Sequence, residues 1–173
     1  MKDGGTVIIA PPPNPFRCPP GPGERISQIA HYLSTHKPKS KIMAFDPKRK
    51  FSKYGLFTTG WERHYGFDRD NMTGPGMISY ATEDGVVGYD AATKTVTTAS
   101  GNKIRGDVVN LIPAQKAGNI AFMAGLTNEK GWCPVEGKTF ESKMHNNIHV
   151  IGDSAHASPM PKSGYAATSQ AKV

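Results

Sequence analysis

Phe16-Arg17-Cys18-Pro19-Pro20-Gly21-Pro22-Gly23-Glu24 joins a strand to a helix, and its composition decides what kind of α/β unit the chain builds. Before it, Thr6-Val7-Ile8-Ile9-Ala10 is a short continuous apolar run, the pattern of a buried strand. After it, Glu24 to His36 carries Ile26, Ile29, Ala30 and Leu33 at the spacing of an amphipathic helix. The order predicts a Rossmann-like βαβ unit of the α/β class. In dinucleotide-binding versions of that unit, glycines let the backbone approach a pyrophosphate at the helix N-terminus. Here proline rings, which have no N–H, take those places, and a thiol stands among them. The junction therefore predicts that this half does not bind NAD.

Outward from the junction, Lys41-Ile42-Met43-Ala44-Phe45-Asp46 reads as a second strand, stopped by Pro47. An acid at such a strand end binds a ribose only beside a glycine turn, so Asp46 is not expected to do so. Phe51 to Phe67 contains Tyr54, Phe57, Trp61 and Tyr65, a core-facing aromatic cluster with a short helix around Thr59 to Tyr65. Val86-Val87-Gly88-Tyr89-Asp90 and Thr95-Val96-Thr97-Thr98 flank Ala91 to Lys94 as a β-hairpin, and Lys103 to Ile112 follows as one strand. Residues 1–113 are thus expected to form a three-layer domain: a Rossmann-like, NAD-domain-like unit with an added hairpin layer that carries Cys18.

Past Pro113 the composition changes. Ala114 to Gly125 suits a short helix, Gly131 to Val135 a turn into an extended piece, and His149-Val150-Ile151 a buried strand stopped by Gly152-Asp153. Pro159-Met160-Pro161-Lys162-Ser163-Gly164-Tyr165 then opens a small-residue helix that runs towards Val173 with no C-cap signal. Residues 114–173 read as an incomplete second domain, and the whole as a fragment of a longer protein.

With 37% hydrophobic residues, 19 Gly and 14 Pro in 173 positions, the chain is a loop-rich globular protein rather than a disordered one. No apolar run is long enough to span a bilayer, and Met1-Lys2-Asp3-Gly4-Gly5 lacks the apolar core of a signal peptide. The net charge of +7 includes basic runs at Lys37 to Lys41 and Lys48 to Lys53, which suit a solvated surface or an acidic protein partner. No nucleic-acid motif accompanies them. Cys18 and Cys133 show no metal-ligand spacing or haem-attachment motif, and no paired-ligand spacing links His31, His36, His64, His145, His149 and His156. The two cysteines are compatible with two free thiols. They are equally compatible with a disulfide, which would stabilise by about 4–5 kcal/mol in the chain-entropy model.

A strand running into Gly152-Asp153, then a loop, then a helix opened by Lys162-Ser163-Gly164, resembles the second flavin motif of flavoproteins with two dinucleotide-binding domains. Together with Cys18 in its Pro/Gly setting, Trp61-Glu62-Arg63, Asn110 to Pro113 and Gly131-Trp132-Cys133-Pro134-Val135, it makes nearly the whole chain similar to the flavoprotein subunit of flavocytochrome c sulfide dehydrogenase. The sulfide:quinone oxidoreductases are more distant relatives in the same disulfide-reductase-like superfamily.

The resemblance implies roles for particular residues. Asp153 would accept a hydrogen bond from the flavin ribityl chain, with Gly152 allowing close approach, and Pro161, Lys162, Ser163, Gly164 and Tyr165 would set a helix start against the pyrimidine edge of the ring. Cys18 would be one sulfur of a redox disulfide facing the flavin, with Arg17 and the helix start favouring its thiolate and Glu24 accepting a proton. The second redox sulfur would come from a C-terminal segment of the family pattern, which leaves Cys133 a bystander or an alternative partner. The chain would hold only the ring-side half of an FAD site, because the glycine-rich turn for the FAD diphosphate and the covalently attaching cysteine are missing from it. Sulfide would be the substrate, a c-type cytochrome subunit with its own haem c the partner, and the periplasm the location. Two other readings stay open: a non-catalytic Rossmann-like module that binds a cytochrome, and a quinone-reducing relative.

Overall fold

The computed structural model describes residues 1–173, which divide into two compact units: Met1–Asn14 with Pro20–Pro113, and Pro15–Pro19 with Ala114–Val173. The short loop that carries Cys18 is grouped with the second unit.

In the first unit, β1 (Thr6–Ala10) leads to α1 (Gly21–His36), which returns the chain to β2 (Lys41–Asp46). The helix starts three residues before the predicted Glu24, because Pro22 in its first turn loses only an N–H that has no partner there. Ile26, Ala30 and Leu33 form its buried stripe, and the Lys37 N–H closes the helix on the Leu33 carbonyl. The aromatic segment forms α2 (Tyr54–Tyr65), ended by Gly66 at φ 64°, a left-handed cap that glycine adopts without a Cβ clash. Trp61, 1% exposed, lies among Phe51, Phe57, Phe67 and Tyr80 with ring centroids 5.5–6.0 Å away. Its indole N–H donates to the Ser27 hydroxyl at 2.8 Å, which fastens α2 to α1.

Two further strands complete a parallel sheet in the order β3-β2-β1-β7, with β3 at Ile78–Thr82 and β7 at Val108–Leu111. An antiparallel meander of β4 (Val86–Asp90), β5 (Thr95–Thr98) and β6 (Lys103–Arg105) forms a separate sheet. One core joins Val7, Ile9, Ile42 and Ala44 to α1 and the aromatic cluster, and another joins Ile8 and Phe45 to Val96 of the meander. The three layers are therefore helices, parallel sheet and meander, a Rossmann-like α/β arrangement.

The expected single strand from Lys103 to Ile112 is instead two strands in two sheets. Gly106 sits where an added Cβ would lie 2.9 Å from the Ile8 Cδ1, and the Asp107 carboxylate takes the Thr6 N–H at 2.8 Å. The ladder is thus interrupted and the chain passes from one layer to the next. Asp46 at the end of β2 is 0% exposed and holds Lys48 at 2.7 Å, with the Tyr80 hydroxyl donating to its other oxygen. Its carboxylate is spent inside the fold.

The second unit has little regular structure: α3 (Asn119–Met123), a two-residue parallel pair of β8 (Cys133–Pro134) with β9 (Ala155–His156), a 3-10 turn at Gly152–Ser154 and α4 (Gly164–Gln170). The predicted buried strand His149 to Ile151 does not form. His149 makes one isolated bridge to Glu141, the Val150 N–H reaches the Phe140 carbonyl at 2.9 Å, and Ile151 is 44% exposed. Phe140, whose carbonyl takes the Val150 N–H, has φ 59° rather than extended backbone, and the pairing here stays an isolated bridge. No helix of the chain is long and apolar enough to cross a membrane.

Candidate functional site

The second unit brings Cys18 to the loop that carries Asp153 and Lys162. Cys18 lies in the left-handed region at φ 52°, which costs a residue with a Cβ free energy on the order of 1 kcal/mol and persists only where neighbours hold it. What holds it is the Lys162 carbonyl, which accepts the Cys18 N–H at 2.8 Å. The preceding residue is fastened three ways. Its N–H donates to the Gln115 side chain at 2.9 Å, its Nη2 to the Lys116 carbonyl at 2.7 Å, and its Nε lies 3.8 Å from the Asp153 carboxylate. The Cys18 thiol is free and exposed within this frame.

Gly152 has φ +73°, a conformation that favours glycine, and its N–H donates to the Gln170 side chain at 2.7 Å. Gln170 is 5% exposed, so the far end of α4 anchors the turn from inside. The Asp153 carboxylate is 41% exposed and stays open on one side as a hydrogen-bond acceptor. Ser163 caps α4 by accepting the Ala166 N–H, Gly164 has open space where a side chain would begin, and Pro161 and Tyr165 are exposed. α4 is only seven residues long, so its dipole is modest.

Lys162 is placed differently from the rest of its run. It is 8% exposed, its ammonium donates to the carbonyls of Asp153 at 2.7 Å and Ala155 at 2.6 Å, and it lies 3.8 Å from the centre of the Trp132 ring. Burial pulls its pKa down to about 8, against the opposing pull of Asp153 and Cys133, with Arg17 adding to the lowering. Its carbonyl, not its ammonium, makes the hydrogen bond to the cysteine loop. Cys133, on β8, is 0% exposed and free, and burial raises its thiol pKa. Glu24 belongs to the first unit and is exposed in the first turn of α1.

The residues fit the ring-side half of a flavin site. The donor and acceptor set consists of the open Asp153 carboxylate, the glycine-bearing turn before it and the uncrowded start of α4, with a thiol on the adjoining loop. Trp132 stood in the sequence as a packing position beside Cys133, but the parts of Gln115 and Gln170 in holding this frame were not legible there. Their partners lie at separations such as the 18 positions between Gly152 and Gln170 or the 98 between Arg17 and Gln115, and no local pattern marks them.

Comparison with solved structures gives the fold. A chain of the Tetrahymena thermophila mitochondrial ATP synthase superposes over 88% of this chain and 37% of its own, at 18% identity and TM-score 0.58. LpdA from Mycobacterium tuberculosis covers 95% of this chain and 32% of its own, at 10% identity and TM-score 0.58. Reduced CoADR-RHD from Bacillus anthracis covers 87% and 24%, at 16% identity and TM-score 0.50. The chain thus spans between a quarter and two fifths of the length of these proteins. The family model of the central part of the sulfide dehydrogenase (flavocytochrome c) flavoprotein chain matches residues 1–113. With that match over most of its length, the chain belongs to the flavocytochrome c sulfide dehydrogenase flavoprotein family.

Proposed function

We propose that the flavoprotein containing this chain oxidises sulfide at Cys18 and passes the electrons to a c-type cytochrome subunit. The observation that carries the reading is the Cys18 loop itself: an exposed thiol on a residue held at positive φ, tied by its N–H to the loop of Asp153 and Lys162.

In the oxidised protein Cys18 is joined to a second cysteine in a disulfide. Cys133, fully buried and with its thiol pKa raised, is poorly suited to be that partner, and a cysteine elsewhere in the intact protein serves. Hydrosulfide attacks the disulfide, the S–S bond breaks, and a new S–S bond forms between the substrate sulfur and one cysteine. The products are a persulfide on that cysteine and a thiolate on the other. Glu24 takes up the proton released from the substrate. Arg17, fixed at three points beside Cys18, keeps a positive charge near the incoming anion and the developing thiolate. Bound FAD would supply the two-electron acceptor for reoxidation of the pair, in which the thiolate closes an S–S bond on the outer persulfide sulfur as that sulfur loses its proton, and would hand the electrons on singly to a haem c of the partner. Asp153 would accept a hydrogen bond from the ribityl chain, Gly152 would permit its close approach, and Pro161, the Lys162 backbone, Ser163, Gly164 and Tyr165 would hold the pyrimidine edge of the ring. The periplasm is the compartment that suits such a partner.

The test is the Cys18→Ser variant of the intact flavoprotein. Bound flavin is expected to remain while its reduction by sulfide is lost. Sulfide-dependent bleaching of the flavin at the wild-type rate would overturn the assignment.

A further inference from the structure

Lys162 is the one charged side chain of the ring-side loop that turns away from solvent. Its ammonium is buried under Trp132 and tied to the carbonyls of Asp153 and Ala155, while its own carbonyl holds the Cys18 N–H. Ala155 is also the register partner of Cys133 across β8 and β9, so one side chain grips the turn, the short sheet and, through its backbone, the thiol loop. Lys162 is thus held at both ends, its ammonium at two carbonyls beneath the indole and its own carbonyl at the Cys18 N–H, so releasing the side chain loosens the backbone that carries the thiol loop. We propose that Lys162 is a positioning residue for the reactive thiol: Cys18 keeps its left-handed posture only while the Lys162 side chain stays in its buried seat. This rests on the reading of Cys18 as the sulfide-reactive group and deepens it, since it names what presents the sulfur.

Opening of the thiol loop would return the Lys162 ammonium to water and its pKa from about 8 to the ordinary 10.5. The open state then binds a proton that the closed state has lost, so closure strengthens as pH rises from about 8 to 10.5. The charged and titratable groups around the ammonium are Asp153 on the 3-10 turn, Cys133 on β8 and Arg17 on the cysteine loop. Cys133 titrates with the opposite sign because burial raises its thiol pKa, and Cys133→Ser removes that contribution.

The measurement is amide exchange of the chain, read by NMR magnetisation transfer from water between pH 7 and 10 and corrected for intrinsic exchange. In the wild type and in Cys133→Ser, protection of the Cys18 amide is expected to rise by up to about tenfold per pH unit above pH 8, the limit for one coupled proton. The amides of Val150 and Glu136, which bond to Phe140 and Glu141 in the same unit, should not follow it. Lys162→Met should flatten the Cys18 profile. A flat wild-type profile, or one shared by Val150 and Glu136, would overturn the proposal, and this holds even if the variant does not fold. Loss of the sulfide reaction assignment through Cys18→Ser would leave the exchange result standing, so the two failures are told apart.

Discussion

Arg17 places its Nε 3.8 Å from the Asp153 carboxylate, joining the residue before the thiol to the residue that faces a ribityl chain in the proposed site. Both side chains are more than two fifths exposed, so the ion pair by itself contributes about 0–1 kcal/mol. Its effect is on geometry. Asp153→Asn is expected to leave the urea midpoint nearly unchanged while reducing flavin affinity of the intact protein, as measured by flavin fluorescence on titration.

The two thiols should separate cleanly by reactivity. Cys18 is exposed and Cys133 is 0% exposed with a raised pKa. Under native conditions iodoacetamide is expected to modify Cys18 alone, and both residues once urea unfolds the chain; peptide mapping by mass spectrometry reads the sites. Equal native labelling would contradict the burial of Cys133.

Ser27→Ala removes the acceptor of the Trp61 indole N–H. A buried donor left without a partner costs about 1–3 kcal/mol, and the loss should appear as a lower midpoint in denaturant at unchanged slope. Trp61→Ala, which also opens a cavity among Phe51, Phe57, Phe67 and Tyr80, is expected to cost about 3–5 kcal/mol.

Burial, with Asp46 beside it, raises the Tyr80 hydroxyl well above its ordinary pKa of 10.0. Above pH 10 the unfolded chain loses this proton while the folded one keeps it, so the folded state binds more protons and stability falls as pH rises. Tyr80→Phe should remove that alkaline slope, as seen in denaturant midpoints taken from pH 9 to 11.

Lys48→Met would leave the Asp46 carboxylate, 0% exposed, without its cation at 2.7 Å. Breaking one side of a buried pair costs about 3–5 kcal/mol. The double variant Asp46→Asn with Lys48→Met should recover part of that loss in the same denaturation assay.

Much of the first unit was written into local pattern. Thr6–Ala10, Lys41–Asp46 and the hairpin strands Val86–Asp90 and Thr95–Thr98 form where alternation, β-branching and turn residues predict them, because burial of consecutive apolar residues is decided within a few positions. β3 at Ile78–Thr82 was not read, since Ile78-Ser79-Tyr80-Ala81-Thr82 carries only two buried positions and owes its strand form to pairing with β2. The break at Gly106-Asp107 was hidden for the same reason. Its cause is Ile8 and Thr6, about a hundred positions earlier.

The sequence by itself determined the chemical inventory: a thiol in a proline-lined bend with no phosphate-cradling glycines, a Gly-Asp turn and a helix start bearing Lys-Ser-Gly, all set by residue type and short spacing. Only the tertiary structure decided that Cys18 hangs on the Lys162 carbonyl, that the Lys162 ammonium turns inward under Trp132, and that Cys133 is sealed from solvent. Hydrogen bonds and desolvation act across space between residues far apart in the chain, and nothing in the local order of residues encodes which of them will meet.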